Sequence, residues 1–368
     1  MRGEVRTLPQ LADDSYYLEE RYRGETVYSP ALSAFYAIKP LVPRALQVAA
    51  RRRLARTRVR RSFPAWPVED ILERRRAVAV REQLAARGAE RLPFVNFWPA
   101  GQRFAVILTH DVEGSRGVQR IPELLDIERR HGFVSSWNFV AEGYPLTAQD
   151  RAGVVAADCE VGLHGITHDG RLFRDRATFD EQLPMIRRYL EDWGAVGFRS
   201  PSTLRNADWM HELPCLYDSS FPQSDPFQPQ AGGCLSIFPF FFGNVVELPI
   251  TLDQDYTVFE LLRHHDIDLW IRKSEWIISH HGLINVIVHP DYVTRERLAL
   301  YEQFLVFLRA QQGGWHALPR EVARWWSVRA QLQCLDEDGV PTIVGDHDDT
   351  ATVAWARMAG DEVTYDLD

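Results

Sequence analysis

Hydrophobic residues in the central part of the chain recur with two alternating periods. Short apolar runs such as Phe104–Leu108 and Leu283–Val288 have the length and continuity of strands that are buried on both faces. Between these runs, as in Thr178–Trp193 and Arg295–Ala310, apolar residues recur every three or four positions, which predicts amphipathic helices. Strands that alternate with helices are typical of repeated β-α units around a parallel sheet.

The predicted elements follow this alternation over most of the chain. Strands are predicted at Phe104–Leu108, Phe133–Val140, Cys159–Leu163, Ala195–Phe198, Val245–Leu248 and Leu283–Val288. Helices are predicted at Ile121–Arg130, Gln149–Ala157, Thr178–Trp193, Ile267–His281 and Arg295–Ala310. Thr178 and Glu181 have the spacing of a capping box at the start of one of these helices.

The two ends of the chain have a different pattern. Residues before about 95 are mainly helical or irregular, with a helix predicted at Val68–Ala86. After Trp326 come four short β-runs, with turn residues at Asp338-Gly339 and Gly360-Asp361. These β-runs are Val328–Cys334, Pro341–Val344, Thr352–Trp355 and Glu362–Tyr365. We therefore predict a helical N-terminal arm over residues 1–99, a β/α domain over 100–326 and a small antiparallel β appendage over 327–368.

Composition and charge exclude some classes of protein. The 368 residues are 45% hydrophobic and 25% charged, as in an ordinary globular protein with a sizeable core. A net charge of −9 argues against a general nucleic-acid binder. The N-terminus lacks the apolar region of a signal peptide, and no run reaches the roughly 20 apolar residues of a spanning helix. The expected location is therefore the cytoplasm.

The four cysteines support the same expectation. Cys159, Cys215, Cys234 and Cys334 are widely separated and show no CxxC spacing. We expect buried free thiols, which fit a reducing compartment.

Arg44–Arg61 holds eight arginines and no acidic residue. One interpretation is a basic helix that contacts an anionic lipid surface or a polyanionic glycan. The other, which we favour, is an arm that lies over the acidic β/α domain. The ten acidic residues between Asp336 and Asp368 form either a solvated surface or a patch that pairs with this arm.

Polar residues follow the predicted strands at several points. Asp111 and Glu113 follow the first strand, and His164 and His168 follow Cys159–Leu163. Two imidazoles and a carboxylate from a neighbouring strand form a ligand set that suits zinc or a similar divalent ion. Arg199-Ser200-Pro201 and His289-Pro290 follow two further apolar runs. Packing alone does not explain four such sites at successive strand ends.

These residues resemble the motifs of the polysaccharide deacetylases, which are carbohydrate esterase family four with the NodB-homology fold. The similarity spans about residues 100 to 320 and rests on four motifs: Thr109–Glu113, His164–His168, Arg199–Pro201 and Ile287–Pro290. It implies an α/β fold, a distorted (β/α) barrel of seven strands. It also implies a mononuclear metal-dependent hydrolase that removes acetyl groups from N-acetylated sugars or a glycan precursor.

The resemblance also implies roles for residues at the metal. His164, His168 and one carboxylate would hold Zn²⁺, or another divalent ion such as Co²⁺ or Ni²⁺. The family's first motif usually has two adjacent Asp residues, the first being the base and the second the ligand, whereas Val112 intervenes here. We assign Asp111 as the base and Glu113 as the ligand, because the longer Glu side chain can reach back to the ion.

The remaining roles concern proton transfer. Arg199 matches the arginine that orients the base and keeps it ionised. His289 would be the general acid, with its charge tuned by a carboxylate neighbour. Asp218 resembles part of the fourth motif and is the first candidate for this neighbour, with Asp255 as the reserve.

Two departures leave the substrate open. Ser202 stands where the third motif usually continues with an aromatic residue, and Phe221-Pro222 stands where the fourth usually has a Trp. Three hypotheses follow: a deacetylase of an N-acetylated sugar, an allantoinase-type amidohydrolase of a small amide, and a catalytically silent glycan-binding protein.

Overall fold

The computed structural model describes residues 14–24, 42–59, 62–337, 340–346 and 349–367. Within this part of the chain, the strands are β1 (Leu92–Val95), β2 (Phe104–Val112), β3 (Ser135–Phe139), β4 (Glu160–Leu163), β5 (Gly197–Phe198), β6 (Tyr217–Asp218), β7 (Phe240–Phe242), β8 (Val245–Glu247), β9 (Leu283–Val288), β10 (Gly314–His316), β11 (Gln333–Glu337), β12 (Val340–Val344), β13 (Val353–Ala359) and β14 (Glu362–Leu367). The α-helices there are α1 (Ser15–Leu18), α2 (Arg44–Arg58), α3 (Ile71–Arg87), α4 (Ser115–Arg130), α5 (Ala148–Val155), α6 (Arg176–Trp193), α7 (Asp268–Ser279), α8 (Arg295–Ala310) and α9 (Pro319–Arg329). A π-helical segment covers Tyr256–Leu261.

The central sheet is parallel and curled. Its order is β10-β2-β3-β4-β5-β6-β8-β7, with β9 also paired to β2, and of these strands only β7 is antiparallel to its neighbour. Hydrogen bonds bring the segment after β8 against β9, since Leu252 N donates to Asn285 O at 3.0 Å and Asn285 N donates to Thr251 Oγ1 at 2.8 Å. These contacts complete the curl, and the expected class, an α/β distorted barrel, is confirmed.

The number of parallel strands differs slightly from the expected seven. The short strand β10 pairs with the beginning of β2, from Phe104 to Val106, while β3 pairs with its end, from Leu108 to Val112. β9 pairs along Ala105–His110. One long central strand therefore holds three parallel neighbours, and the sheet has eight parallel strands.

Strand β2 extends past the apolar run that predicted it. The prediction ended the strand at Leu108, whereas the strand continues to Val112 and is buried throughout. The added polar residues have buried partners: Thr109 Oγ1 donates to Val286 O at 2.9 Å, and His110 Nε2 lies 2.6 Å from Glu128 Oε1. Because these groups are satisfied, polar residues continue the buried strand without leaving unpaired groups.

Several other boundaries agree with the sequence pattern, and some do not. β9 and α8 match their predicted ranges. The capping box at Thr178 was wrong, because α6 begins two residues earlier and Asp175 caps it by accepting a hydrogen bond from Thr178 N at 2.8 Å. The strand predicted from Val328 was also wrong at its start, because Val328 still belongs to α9.

The two ends of the chain meet in one small sheet. β1, which the sequence pattern missed, pairs with β13, and β13 pairs with β14, both antiparallel. Arg81 of α3 forms an ion pair with Asp361 at 2.9 Å. The last part of the N-terminal arm and the C-terminal β appendage are therefore in direct contact. The turn predicted at Asp338-Gly339 lies outside the described residues.

The described part of the basic segment lies on the barrel. Ala55 of α2 is buried against Phe227 and Leu261. Arg52 forms an ion pair with Glu260 at 2.7 Å, just before the end of the π-helical segment. Arg60 and Arg61 lie outside the described residues. These contacts favour the interpretation of a supporting arm over that of a separate basic surface.

Two further expectations concern the whole chain. All four cysteines are free, as predicted. Cys159, Cys234 and Cys334 are also buried as predicted, whereas Cys215 is only half-buried. Among the described residues, no helix has both the length and the apolar character needed to cross a membrane.

Candidate active site

The candidate site residues meet at the carboxyl edge of the parallel sheet. Asp111 is near the end of β2, and His164, Arg199 and His289 directly follow β4, β5 and β9. Parallel strands bring their carboxyl ends to one edge, where barrel enzymes place their chemistry. The polar residues that the sequence places after separate strands therefore lie together in one site.

The spacing of the two acids follows from the geometry of a strand. Successive side chains of an extended chain alternate between faces. Val112 is fully buried in the hydrophobic core. Asp111 and Glu113 therefore point to the opposite face, and both line one cavity.

Three donor residues converge on one point. One ligand atom each from Glu113, His164 and His168 lies within 4.8 Å of the others. Glu113 Oε1 is 3.0 Å from His168 Nε2, and the Tyr292 hydroxyl donates to Glu113 Oε2 at 2.6 Å. The structure thus brings together the three residues that the sequence nominated as metal ligands.

The turn between the two histidines depends on a glycine. Gly165 has a φ of +69°, and a Cβ there would lie 2.7 Å from Pro201. Only glycine fits both this backbone and this contact without strain. The turn directs His168 back toward His164, and the two rings are 5.3 Å apart between centroids.

The surroundings of His164 show that its ring is suited to bind a metal ion. Its Nδ1 donates to Arg199 O at 3.1 Å, which leaves the lone pair on Nε2. This Nε2 is buried, and it has no hydrogen-bond partner among the described residues. Burial lowers the pKa of His164 to about 4, so the ring is neutral at pH 7. A neutral imidazole with a fixed tautomer and an unpaired buried nitrogen suits a divalent metal ion.

Asp111 is held in its ionised form. Its Oδ1 accepts hydrogen bonds from Arg199 Nη1 and Asn138 Nδ2, each at 3.0 Å. Burial alone would raise the pKa, but the charges of Arg199, His164 and His289 outweigh burial and lower the pKa of Asp111 to about 2. Its other oxygen, Oδ2, lies 3.9 Å from Nε2 of His164, one of the three candidate metal ligands.

Arg199 is fixed by several acceptors. Nε donates to Ser219 O at 2.7 Å, Nη2 to Ser219 Oγ at 2.8 Å, and Nη1 to Thr109 Oγ1 at 2.8 Å. The guanidinium plane is therefore set by β2 and by the residue that follows β6. Rigid placement keeps the positive charge beside Asp111.

His289 faces the same cavity with a carboxylate behind it. Its Nδ1 donates to Asp255 Oδ1 at 2.6 Å, and its backbone N–H donates to Asp255 Oδ2 at 3.0 Å. Burial opposes the charged ring, but Asp255 outweighs burial and raises the pKa of His289 to about 9. Nε2 lies 3.9 Å from Glu113 Oε1, so the Nε2 edge of the ring is next to the candidate metal ligands.

The assignment of Asp218 as the partner of His289 was wrong. Asp218 accepts hydrogen bonds from Ser220 Oγ at 2.8 Å and Ser220 N at 3.0 Å. Asp218 lies opposite Glu247 in register, and burial raises the pKa of both carboxyls. Asp218 and Glu247 lie at the ends of β6 and β8. The residue that faces His289 is instead Asp255, the reserve candidate, which caps the π-helical segment.

A cavity of about 270 Å³ connects the candidate catalytic residues with the surface. Its walls also include Ser202, Tyr256 and Tyr292, and the two tyrosine rings are 5.3 Å apart between centroids. Ser202 supplies no aromatic ring, as its identity predicted, and Tyr256 and Tyr292 line the cavity instead. Gln47, Val48 and Arg51 of α2 also line it.

Sequence reasoning missed several of these residues. Tyr292 is three positions after His289, so its place near the ligands could have been found from that spacing. Asn138 lies on β3 opposite Asp111 in register, but no motif marks it. Tyr256 and the α2 residues come from segments with no catalytic signal in the sequence.

Comparison with known proteins supports the fold. No protein-family model and no curated protein matches the sequence. A Mycobacterium smegmatis crystal structure, provisionally named a polysaccharide deacetylase, is 22% identical with a TM-score of 0.52 and covers 64% of this chain and 94% of its own. This likeness shows that the two chains share a fold.

Two further structures resemble the chain more weakly. A PuuE allantoinase is 18% identical, with a TM-score of 0.48, over 62% of this chain and 92% of its own. A Pseudomonas aeruginosa PAO1 protein, also provisionally named a polysaccharide deacetylase, is 18% identical, with a TM-score of 0.47, over 61% and 91%. The function is therefore argued from the site.

Proposed function

We propose that this protein is a metal-dependent hydrolase that removes an acetyl group from an N-acetylated sugar or glycan precursor. The observation that carries the proposal is the placement of three donors, Glu113, His164 and His168, within 4.8 Å of one another in the cavity that Asp111 and His289 also line. Zn²⁺ is the ion that this nitrogen and oxygen donor set suits, and Co²⁺ or Ni²⁺ are alternatives.

Amide hydrolysis needs a base for the attacking water and an acid for the leaving amine. A divalent ion on the three ligands would supply Lewis acidity for the acetyl oxygen and the water. Asp111 accepts the proton of the water, because Arg199 keeps this carboxylate ionised at neutral pH. Asn138 orients the same carboxylate through Oδ1, which leaves Oδ2 for the proton.

His289 supplies the acid. With a pKa raised to about 9 by Asp255, the ring is protonated at neutral pH. Because Nδ1 already donates to Asp255, the proton that reaches the leaving nitrogen comes from Nε2. Asp111 and His289 thus have opposite protonation states at the same pH, which is the requirement for acid–base catalysis.

The cavity favours a small sugar. Its volume of about 270 Å³ is close to the lower end of small-molecule sites, which span roughly 300–1,000 Å³. The tyrosine pair Tyr256 and Tyr292 offers an apolar wall, while Gln254 offers an amide group for hydroxyls. An aromatic wall with a few polar groups suits a sugar ring with its N-acetyl group. The four free cysteines fit a reducing compartment, and we infer that the protein acts in the cytoplasm.

The test is acetate release from N-acetylglucosamine and its short oligomers by the purified, Zn²⁺-loaded protein. We expect release by the wild type, and loss of both metal and activity in His164→Ala. His264→Ala is the matched control, because this histidine lies outside the cavity and its replacement should change neither property. Stoichiometric metal binding with no acetate from any N-acetylated sugar would contradict the proposal.

A further inference from the structure

We propose that the substrate carries a carboxylate or phosphate group besides its N-acetyl group, and that Arg51 of α2 binds this anion. The inference rests on the proposed function, because it concerns the substrate of the same cavity. It assigns a specificity role to a segment outside the sheet that holds the catalytic residues.

The arginines of α2 differ in what they contact. Arg52 forms an ion pair with Glu260, and it also donates to the Glu260 carbonyl at 2.9 Å. Arg58 Nη1 donates to the carbonyls of Pro226 and Gln228, each at 2.9 Å. Both side chains are therefore used to attach the helix to the barrel. Arg53 and Arg56 are exposed.

Arg51 has neither of these roles. Its side chain is half-buried and lines the cavity that contains the candidate metal ligands. The guanidinium lies over the ring of Tyr256, 4.9 Å from the centroid. It forms no ion pair with any residue in the described part of the chain, in contrast to Arg52. A cation that stacks on an aromatic ring at the wall of a cavity keeps its hydrogen-bond donors available for a ligand.

The other charges of the cavity favour an anionic ligand. Asp111 is paired with Arg199, and His289 is paired with Asp255. Among the carboxylates that line the cavity, this leaves Glu113, whose charge a divalent ion would more than balance. Arg51 is the only lysine or arginine among the residues of the cavity wall that the structure describes. A metal-loaded cavity with Arg51 is therefore positive, and an arginine fork matches a carboxylate or phosphate in geometry.

The position of Arg51 separates the two ends of the substrate. The Tyr256 ring contacts both Arg51, at 4.9 Å from the guanidinium, and Tyr292, whose tilted ring is 5.3 Å away between centroids. The Tyr292 hydroxyl in turn donates to Glu113. A sugar held along this wall has its acetamide at the ligands and another substituent at Arg51. The anion is thus recognised away from the reacting bond, so that its loss affects binding more than the chemical step.

Kinetics with matched substrates test the inference. The probes are N-acetylglucosamine, N-acetylglucosamine 6-phosphate and N-acetylglucosaminuronic acid, assayed with the Zn²⁺-loaded full chain. In Arg51→Gln we expect KM for an anionic probe to rise about 10- to 100-fold, as for loss of a charged hydrogen bond. KM for the neutral sugar should stay the same, and kcat should change little. The two anionic probes show whether phosphate or carboxylate is preferred.

Arg53→Gln is the matched control. It removes the same charge from the same helix, but the side chain is exposed and does not line the cavity. We expect wild-type KM values for all three probes. Equal effects of the two variants would show that the helix acts only through its long-range field, and would overturn a binding role for Arg51. Arg51→Lys should recover part of the affinity, because it retains the charge without the planar fork.

A binding measurement separates this inference from the proposed function. Calorimetry with glucosamine 6-phosphate and glucosamine needs no turnover, since neither has an acetyl group. We expect tighter binding of the phosphate compound to the wild type and to Arg53→Gln, and loss of this preference in Arg51→Gln. Lack of acetate release with an intact Arg51-dependent preference would overturn only the deacetylase proposal. Acetate release with no dependence on Arg51 in either assay would overturn only the anion site.

Discussion

Asp255 accepts two hydrogen bonds from His289, one from the ring at 2.6 Å and one from the backbone N–H at 3.0 Å. The two residues are 34 positions apart in the chain, and the carboxylate comes from the cap of a π-helical segment. The double contact fixes the orientation of the carboxylate beside the ring and stabilises the positive charge of the ring. It also determines the pH range in which the ring can act as an acid.

The first prediction concerns this pH range. Asp255 raises the pKa of His289 to about 9 although burial opposes the charge. The acid form is therefore present below pH 9, and activity should fall as the pH rises through about 9. In Asp255→Asn the amide accepts a hydrogen bond but carries no charge, so burial lowers the pKa and the alkaline limb moves to lower pH. A pH profile of kcat checks this, and an unshifted limb in the variant would exclude His289 as the acid.

The second prediction concerns His289 itself. His289→Ala should lower turnover at neutral pH by about 100- to 10,000-fold, the usual contribution of a general acid. Metal content should be unchanged, because the ring is not one of the three converging donors. Metal analysis of the purified variant is the control. Loss of the ion with the activity would make His289 a ligand instead.

The third prediction separates the roles of the two acids. Glu113→Ala removes one of three donors, so the purified variant should hold far less than one equivalent of metal. Asp111→Asn keeps the shape of the side chain but not the base, so metal should remain while the rate falls about 100- to 10,000-fold. Metal content and acetate release are measured on both variants. The reverse pattern would exchange the two roles, and loss of metal in both would mean that the acids share the ion.

The fourth prediction tests how the N-terminal arm supports the barrel. Arg205 is fully buried, and Glu20, from the short segment after α1, accepts its hydrogen bonds at 2.7 and 2.5 Å. Glu20→Ala leaves the guanidinium without its carboxylate, which should cost about 3–5 kcal/mol of unfolding free energy. Denaturant unfolding measures the loss.

Glu19→Ala is the control for this effect. Glu19 pairs with Arg21, whose side chain is 47% exposed, and such surface pairs contribute about 0–1 kcal/mol. We expect a midpoint close to that of the wild type. If Glu20→Ala is equally mild, the arm does not support the barrel through this ion pair.

Local pattern was sufficient for much of the fold and for the candidate ligands. β9 and α8 were predicted from the spacing of apolar side chains a few positions apart. Both elements match their predicted ranges. The two-residue period of a strand likewise places Asp111 and Glu113 on one face. Strand ends then bring these acids to His164 and His168, because parallel strands share a carboxyl edge.

Contacts between distant segments were decided only by the tertiary structure. Asp255 rather than Asp218 faces His289, since Asp218 is used in a buried pair with Glu247 at neighbouring strand ends. Arg51 reaches the cavity because the rest of α2 is attached to Glu260 and to loop carbonyls of the barrel. Neither choice depends on nearby residues in the chain. Each contact forms because buried charges and apolar surfaces pair with whichever groups the curled sheet brings near them. The local sequence does not indicate which groups these are.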